Sequence, residues 1–366
     1  MKILLSGGGT GGHIYPALAL VRRIKEQYPH AEFLYIGTDR GLESKIVPKA
    51  GVPFQSVEIQ GLRRSLSLDN LKTLFLMATS ISKSKKIIKE FQPDVVVGTG
   101  GYVCAPVLYA ASRLGIPSII HEQNSVAGVT NKFLARYVDK ICLCFEDARN
   151  DFQKYADKVI YTGNPRAQEV VSITEKTSLS NYQLKEDLPT VLIFGGSRGA
   201  EKINQSLVDA ASSFAGKPYQ ALLITGDIHY EKIKKQIEAL VPAVTNVKVV
   251  PYVEQMPALF NSIDLVACRS GATTLTELTA LGIPSILIPS PYVTNNHQLK
   301  NAQSLSKNSA AEIIEEVDLN EKSLFSLIDS LLTNPEKRND MAEKAKELGV
   351  PDAADRLMDV VRSIMK

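Results

Sequence analysis

An α/β fold with two Rossmann-like parallel-sheet domains facing a cleft is what the sequence predicts, and three features carry that expectation. Short, continuously apolar runs recur along the 366 residues, segments of helical period separate them, and a strand–glycine-turn–helix pattern occurs twice, about half a chain apart. Continuous apolar runs mark parallel strands covered on both faces. Their alternation with helical segments predicts βαβ units.

The elements follow in chain order. KILLSG opens the first sheet, and after its glycine turn a helix is expected over Ala17–Gln27. EFLYIG, DVVVGTG, PSIIHE and KICLCF supply further strands. A domain boundary is expected near the Gly163–Asn164–Pro165 turn, and the polar stretch Ser172–Pro189 reads as a linker. VLIFGG, ALLITG, VKVVPY, LVACRS and PSILIP then form a second sheet, with a helix over Ala200–Phe214. Residues 1–163 and 164–350 are the expected domains, and periodicity leaves open which of them the last helix closes.

Composition narrows the class. The chain is 44% hydrophobic and 22% charged, which excludes a disordered, collagenous or coiled-coil protein. Four cysteines (Cys104, Cys142, Cys144, Cys268), none in a C-x-x-C pair, argue against a disulfide framework or structural zinc. Reduced thiols imply the cytoplasm, and the absence of an 18-residue apolar run implies that nothing spans a bilayer. The net charge of +3 is uneven: residues 1–165 carry 21 Lys and Arg against 14 Asp and Glu. Between Gly61 and Lys89 lie seven cations (Arg63, Arg64, Lys72, Lys83, Lys85, Lys86, Lys89) and a single acid, Asp69. Such a segment faces something anionic, either nucleic acid or a membrane surface.

The chemistry-bearing segments sit in strand–helix turns. Ser6–His13 (SGGGTGGH) places glycine amides and a helix N-terminus where an anion could lie. Its Gly7-x-Gly9-x-x-Gly12 register also satisfies the dinucleotide fingerprint, with Asp39 as the ribose-binding acid, so a nicotinamide dehydrogenase competes as a reading. Against it stands His13 at the helix entrance, where an imidazole can take a proton from a hydroxyl near neutral pH. A second glycine turn, Gly195–Gly199, repeats the pattern. The loop Arg269–Glu277 (RSGATTLTE) starts another helix with small and hydroxyl residues able to hold a diphosphate, and Glu277 could accept from both ribose hydroxyls. Ser290–Gln298 (SPYVTNNHQ) is rich in amides suited to sugar hydroxyls.

Eight segments in order, GGGTGGHIYPALA, GTGGYV, HEQNSVAGVTNK, TGNPR, FGGSRGA, RSGATTLTE, NNHQLKNA and GVPDAADR, resemble the MurG family of peptidoglycan N-acetylglucosaminyltransferases, which have the GT-B arrangement of two Rossmann domains. The resemblance runs the whole length of the chain. It implies inverting transfer of N-acetylglucosamine from UDP-N-acetylglucosamine (UDP-GlcNAc) to the muramyl 4-hydroxyl of lipid I, giving lipid II. It also implies that residues 1–163 serve the acceptor and the membrane, that residues 164–350 bind the nucleotide sugar, and that helix 351–366 packs back on the first domain.

By the same resemblance, His13 is the base, Thr10, Gly11 and Gly12 meet the donor near its reacting end, and Asn124 reaches donor sugar or acceptor. Arg166 belongs to the donor set, although it follows Pro165 directly where some members carry an extra residue. Ser197 with Ala272, Thr273, Thr274, Leu275, Thr276 and Glu277 holds diphosphate and ribose, Val253 meets the uracil through its backbone, and Gln298 contacts sugar hydroxyls. There is no D-x-D pair, so neither a metal nor another cofactor is expected. The apolar residues among the 61–91 cations (Leu62, Leu66, Leu68, Leu71, Leu74, Phe75, Leu76, Met77, Ile81) suit peripheral binding to anionic lipid at the cytoplasmic face of the cell membrane. Nucleic acid fits less well, for want of a stacking set of aromatics. A non-catalytic nucleotide-sugar subunit docked on a membrane is a third reading.

Overall fold

Among the described residues every strand runs parallel to its neighbours, in two separate sheets. The computed structural model describes residues 1–60, 68–240 and 242–365 (68–72 and 74 by backbone alone). The first sheet contains β1 (Lys2–Ser6), β2 (Glu32–Gly37), β3 (Phe54–Ser56), β4 (Val95–Gly98), β5 (Ser118–Glu122), β6 (Lys140–Leu143) and β7 (Val159–Tyr161), in the order β3-β2-β1-β4-β5-β6-β7. The second contains β8 (Thr190–Phe194), β9 (Gln220–Ile224), β10 (Val247–Val250), β11 (Leu265–Cys268), β12 (Ser285–Leu287) and β13 (Glu312–Ile313), ordered β10-β9-β8-β11-β12-β13. Strand order reverses between β1 and β4 in one sheet and between β8 and β11 in the other. Crevices at such reversal points are where doubly wound sheets take ligands.

The chain divides into two units, Met1–Glu169 with Asp352–Lys366, and Val170–Pro351. In the first unit both faces of the sheet are covered. Leu4, Ile36, Val96 and Ile120 pack on one side with Val107 and Leu108, while Ile3, Leu5, Val95 and Val97 pack on the other with Ile14, Leu18 and Val21. Leu357, Met358, Val360 and Val361 of the Ala353–Ile364 helix complete that second layer, each contributing on the order of 1.5–3 kcal/mol of burial. Arg23 clasps Asp355 through Nε and Nη2 at 2.7 and 2.9 Å. The second unit has its own core, in which Val191, Ile193, Leu223 and Leu265 meet Ile203, Leu207, Ile328 and Leu331.

Several elements differ from expectation. The first helix starts at Gly11, not Ala17. Pro16 sits in its second turn, where it has no N–H to give the Gly12 carbonyl. The Ala200–Phe214 segment is α-helix only over Glu201–Ala210 and tightens to a 3₁₀ turn over Ala211–Phe214. Three strands that no apolar run marks, β3, β7 and β13, are two or three residues long, and each lies at a sheet edge. The unit division falls inside the Pro165–Ser172 helix, whose first turns are tied to unit 1 by the Arg22–Glu169 ion pair at 2.6 Å and by Gln168 on Asp355. The 172–189 stretch is packed, not slack: Leu179 and Leu184 are buried, and Asn261 Nδ2 donates to the carbonyls of Ile173 and Glu175.

Candidate active site

In the first unit the candidate residues gather at the carboxyl ends of β1, β5 and β7. Thr10 caps the Gly11–Gln27 helix without a side-chain hydrogen bond, and His13 lies in its first turn. The His13 Nδ1 is 2.8 Å from the carbonyl oxygen of Gly8 and 3.5 Å from Thr10 Oγ1. A carbonyl can only accept, so Nδ1 carries the proton and the neutral ring keeps its lone pair on Nε2. The Thr99 hydroxyl donates to the His13 carbonyl at 2.6 Å and fixes the turn from below.

Gly100 makes room for the ring. Its φ is +109°, and a Cβ there would lie 2.7 Å from His13 Cδ2 and 2.9 Å from Nε2. Any side chain would cover the nitrogen that holds the lone pair. The loop after β5 lies beside it. Glu122, buried at its head, accepts from the backbone N–H of Asn124 and Gly128 and from Asn131 Nδ2, which sets the position of the half-buried Asn124. Arg166 sits at the start of the Pro165–Ser172 helix, with Nη1 2.6 Å from Glu169 and its guanidinium 6.0 Å from the centre of the Tyr15 ring.

Sequence reasoning missed Glu43. Its buried carboxylate accepts from the Gly9 N–H at 3.0 Å and from both the N–H and hydroxyl of Thr38. A fixed anion under the first glycine turn repels a pyrophosphate and occupies an amide that a dinucleotide would need. Asp39, the acid of the dehydrogenase reading, is exposed. Glu43 lies 34 residues from the glycine it serves, and no local motif announces it.

In the second unit Ser197, Val253, the Ala272–Leu281 helix and Gln298 all follow the carboxyl ends of strands. Gly195, Gly196, Gly271, Thr274 and Gln298 line a cavity of about 900 Å³ at the β8–β11 reversal. Gly199, with φ +73°, packs so that a Cβ would come 1.8 Å from the Thr225 carbonyl oxygen, whereas Gly196, with φ +94°, faces open space. The Ala272–Leu281 helix begins at Gly271, which has no side chain to cap it, and has no acid in its first turn. The N–H groups of Ala272, Thr273 and Thr274 therefore have no acceptor within the helix and point at the cavity end with the positive end of the dipole. Thr273 Oγ1 is buried and without a hydrogen-bond partner. These are the donors a nucleoside diphosphate would take up.

Other candidates are more constrained. The Thr276 hydroxyl bonds back to the Thr273 carbonyl at 2.8 Å. Glu277 is buried one turn in, close enough to Cys268 to add to the burial that pushes that thiol up. Leu275 is fully buried and contributes packing. The Gln298 Oε1 accepts from the Ser290 N–H at 2.9 Å, so its Nε2 is the donor left for a ligand. The side chain of Val253 is buried, which leaves its backbone as the part able to meet a base. Arg269 also lines the cavity; it pairs with Glu316 and donates to the carbonyls of Ile288 and Pro289, so it braces the wall. No cluster of His, Cys, Asp and Glu able to hold a metal occurs among the described residues.

The chain is similar to known proteins along its length. The glycosyltransferase family 28 N-terminal domain matches residues 3–143, and the family's C-terminal domain matches residues 190–357. The chain is 52% identical over 366 residues to the UDP-N-acetylglucosamine--N-acetylmuramyl-(pentapeptide) pyrophosphoryl-undecaprenol N-acetylglucosamine transferase of Listeria monocytogenes EGD-e, covering 100% of both. It is 50% identical, with the same coverage, to the protein of that name from Bacillus subtilis. Among solved structures, Acinetobacter baumannii MurG superposes with a TM-score of 0.81 at 29% identity over 99% of each chain. The UDP-GlcNAc 2-epimerase of Neisseria meningitidis, solved bound to UDP-GlcNAc, gives 0.70 at 15% identity over 99% of this chain and 100% of that one, a likeness of fold.

Proposed function

The chain belongs to glycosyltransferase family 28, and from that premise we propose how its residues divide the work. It is a UDP-GlcNAc-dependent N-acetylglucosaminyltransferase that converts lipid I to lipid II for peptidoglycan synthesis. Unit 1 binds the lipid-linked acceptor, and His13 Nε2 removes the proton of the muramyl 4-hydroxyl as its oxygen attacks the donor's anomeric carbon. Attack from the face opposite the departing diphosphate inverts that carbon. The orientation of His13 carries this reading, because its Nδ1 is committed to Gly8 and its Nε2 is not.

Unit 2 holds the donor. The amides of Ala272, Thr273 and Thr274, the Thr273 hydroxyl and Ser197 stabilise charge on the leaving diphosphate. Glu277 takes the ribose hydroxyls, the Val253 backbone meets the uracil, and Gln298 donates to the sugar. Of unit 1, Thr10, Gly11, Gly12 and Asn124 are assigned to the sugar that reacts. Arg166 acts there through Glu169 and Tyr15, as a brace for the helix that leaves the unit.

The acceptor is a polyprenyl diphosphate, so the enzyme works at the cytoplasmic face of the membrane as a peripheral protein, with no nucleic acid partner. Supporting this, Phe75 is 68% exposed on the Leu68–Phe91 helix, and Lys83, Lys86 and Lys89 of that helix are exposed. No helix among the described residues is long and apolar enough to cross a membrane. Leu62, Arg63, Arg64 and Leu66, the other end of the basic stretch, lie outside the described residues. The direct test is transfer of radiolabel from UDP-GlcNAc to a soluble lipid I analogue. Product with a β-linkage supports the route, and product retaining the donor's α-configuration rejects it.

A further inference from the structure

Gln123 follows β5 and is 2% exposed. Its carboxamide orientation is fixed on one side. Nε2 lies 3.0 Å from the His121 carbonyl and 2.9 Å from His121 Nδ1. His121 Nε2 in turn faces the Gly163 carbonyl at 2.9 Å, so that nitrogen carries the ring proton and Nδ1 is an acceptor. Both hydrogens of the Gln123 amide are thereby taken, and a flipped amide would set oxygen against two acceptors. The oxygen must point the other way.

That oxygen has no hydrogen-bond partner, although it is buried. It lies 3.4 Å from the point where a Cβ on Gly100 would stand, and His13 Nε2 lies 2.9 Å from the same point. Gly100 has φ +109°, so the gap between the two atoms is kept clear by a residue whose conformation disfavours any side chain. A buried acceptor facing the nitrogen that holds the base's lone pair calls for a hydrogen from the bound substrate.

We propose that Gln123 is a specificity-determining residue whose Oε1 accepts a hydrogen bond from the C6 hydroxyl of the acceptor muramyl sugar. The proposal rests on His13 being the base for the 4-hydroxyl. The chemistry of the sugar selects the partner. An amide oxygen cannot donate, so its partner must bring a hydrogen. The 4-hydroxyl hydrogen passes to His13 Nε2, and the oxygen at C3 is an ether with no hydrogen to give. The hydroxyl on C6 is the nearest remaining donor, carried by C5, the neighbour of C4 on the side away from the lactyl group.

The test uses the full-length enzyme with a lipid I analogue and its 6-deoxy and 6-fluoro counterparts. The wild type should lose about tenfold to a hundredfold in kcat/KM with either counterpart, because fluorine accepts but does not donate and the buried oxygen is left unpaired. In Gln123→Met the ratio between normal and 6-deoxy acceptors should fall toward one, whatever that substitution does to the rate itself. A wild-type ratio near one, full activity with the 6-fluoro acceptor, or an unchanged ratio in the variant would overturn the proposal; the first two need only the wild type. Transfer to the normal acceptor with no discrimination defeats the Gln123 assignment alone, whereas no transfer to any acceptor defeats the reaction it rests on.

Discussion

The Nδ1 of His13 and the carbonyl oxygen of Gly8 are 2.8 Å apart, a hydrogen bond that closes within the glycine turn itself. The turn thus sets the tautomer of the residue it delivers to the helix. Replacing His13 by alanine should lower kcat by about 10²–10⁴ and leave the KM for UDP-GlcNAc within a few-fold, the range expected for losing a proton acceptor. Initial rates at varied donor concentration check this. An unchanged kcat would remove His13 from the chemistry.

Glu277 should behave in the opposite way. A charge-assisted hydrogen bond to the ribose is made equally in ground and transition states, so Glu277→Ala should raise the donor KM roughly tenfold to a hundredfold with little change in kcat. Isothermal titration with UDP gives an independent reading of the same loss. UDP affinity equal to that of the wild type would place the ribose elsewhere.

Two glycines of the second turn separate packing from conformation. At Gly199 an added Cβ would meet the Thr225 carbonyl oxygen at 1.8 Å, and at Gly196 it would meet nothing within 4 Å. Gly199→Ala should therefore displace the turn, lowering Tm and abolishing detectable UDP binding. Gly196→Ala carries only the cost of a left-handed residue, about 1–2 kcal/mol. Thermal melts with and without UDP distinguish them, and equal losses in both variants would contradict the contact.

His121 predicts a pH dependence of stability. Burial pushes its imidazole down to about 4, against the weaker opposing pull of the Gly163 carbonyl. Below the ordinary histidine value of ~6.5 the unfolded chain binds a proton that the native protein refuses, so stability falls as pH drops through that window and levels off below about 4. Between pH 7 and pH 5 the loss should be roughly 2 kcal/mol. Asp355, held below the usual carboxylate range chiefly by its hydrogen bond to Arg23, acts in the same sense at lower pH, where its stabilising ionised form is lost. Urea denaturation at both pH values, repeated with His121→Asn, reads the slope; an unchanged slope in the variant would rule His121 out.

Much of this molecule is legible in its sequence because parallel strands buried on both faces write themselves as unbroken apolar runs. β1, β4, β8 and β9 are such strands. β13, two residues long, is not. The glycine turns and the 269–277 loop are equally visible, since their chemistry is local. The remainder depends on contacts distant in sequence. Glu43 reaches Gly9, Gly100 clears space for His13, and Gln123 turns its oxygen toward the same gap because His121 holds its nitrogen. GTGGYV and HEQN were both readable as motifs, but nothing in either indicates that they meet at one imidazole.

In the proposed route the nucleotide diphosphate belongs to the second unit and the base to the first. A crystal structure of the protein with UDP-GlcNAc tests it most directly. Diphosphate density is expected against Ala272, Thr273 and Thr274, with the uracil at the Val253 backbone. Density for the diphosphate against Gly7–Gly12, above the Glu43 carboxylate, would contradict it.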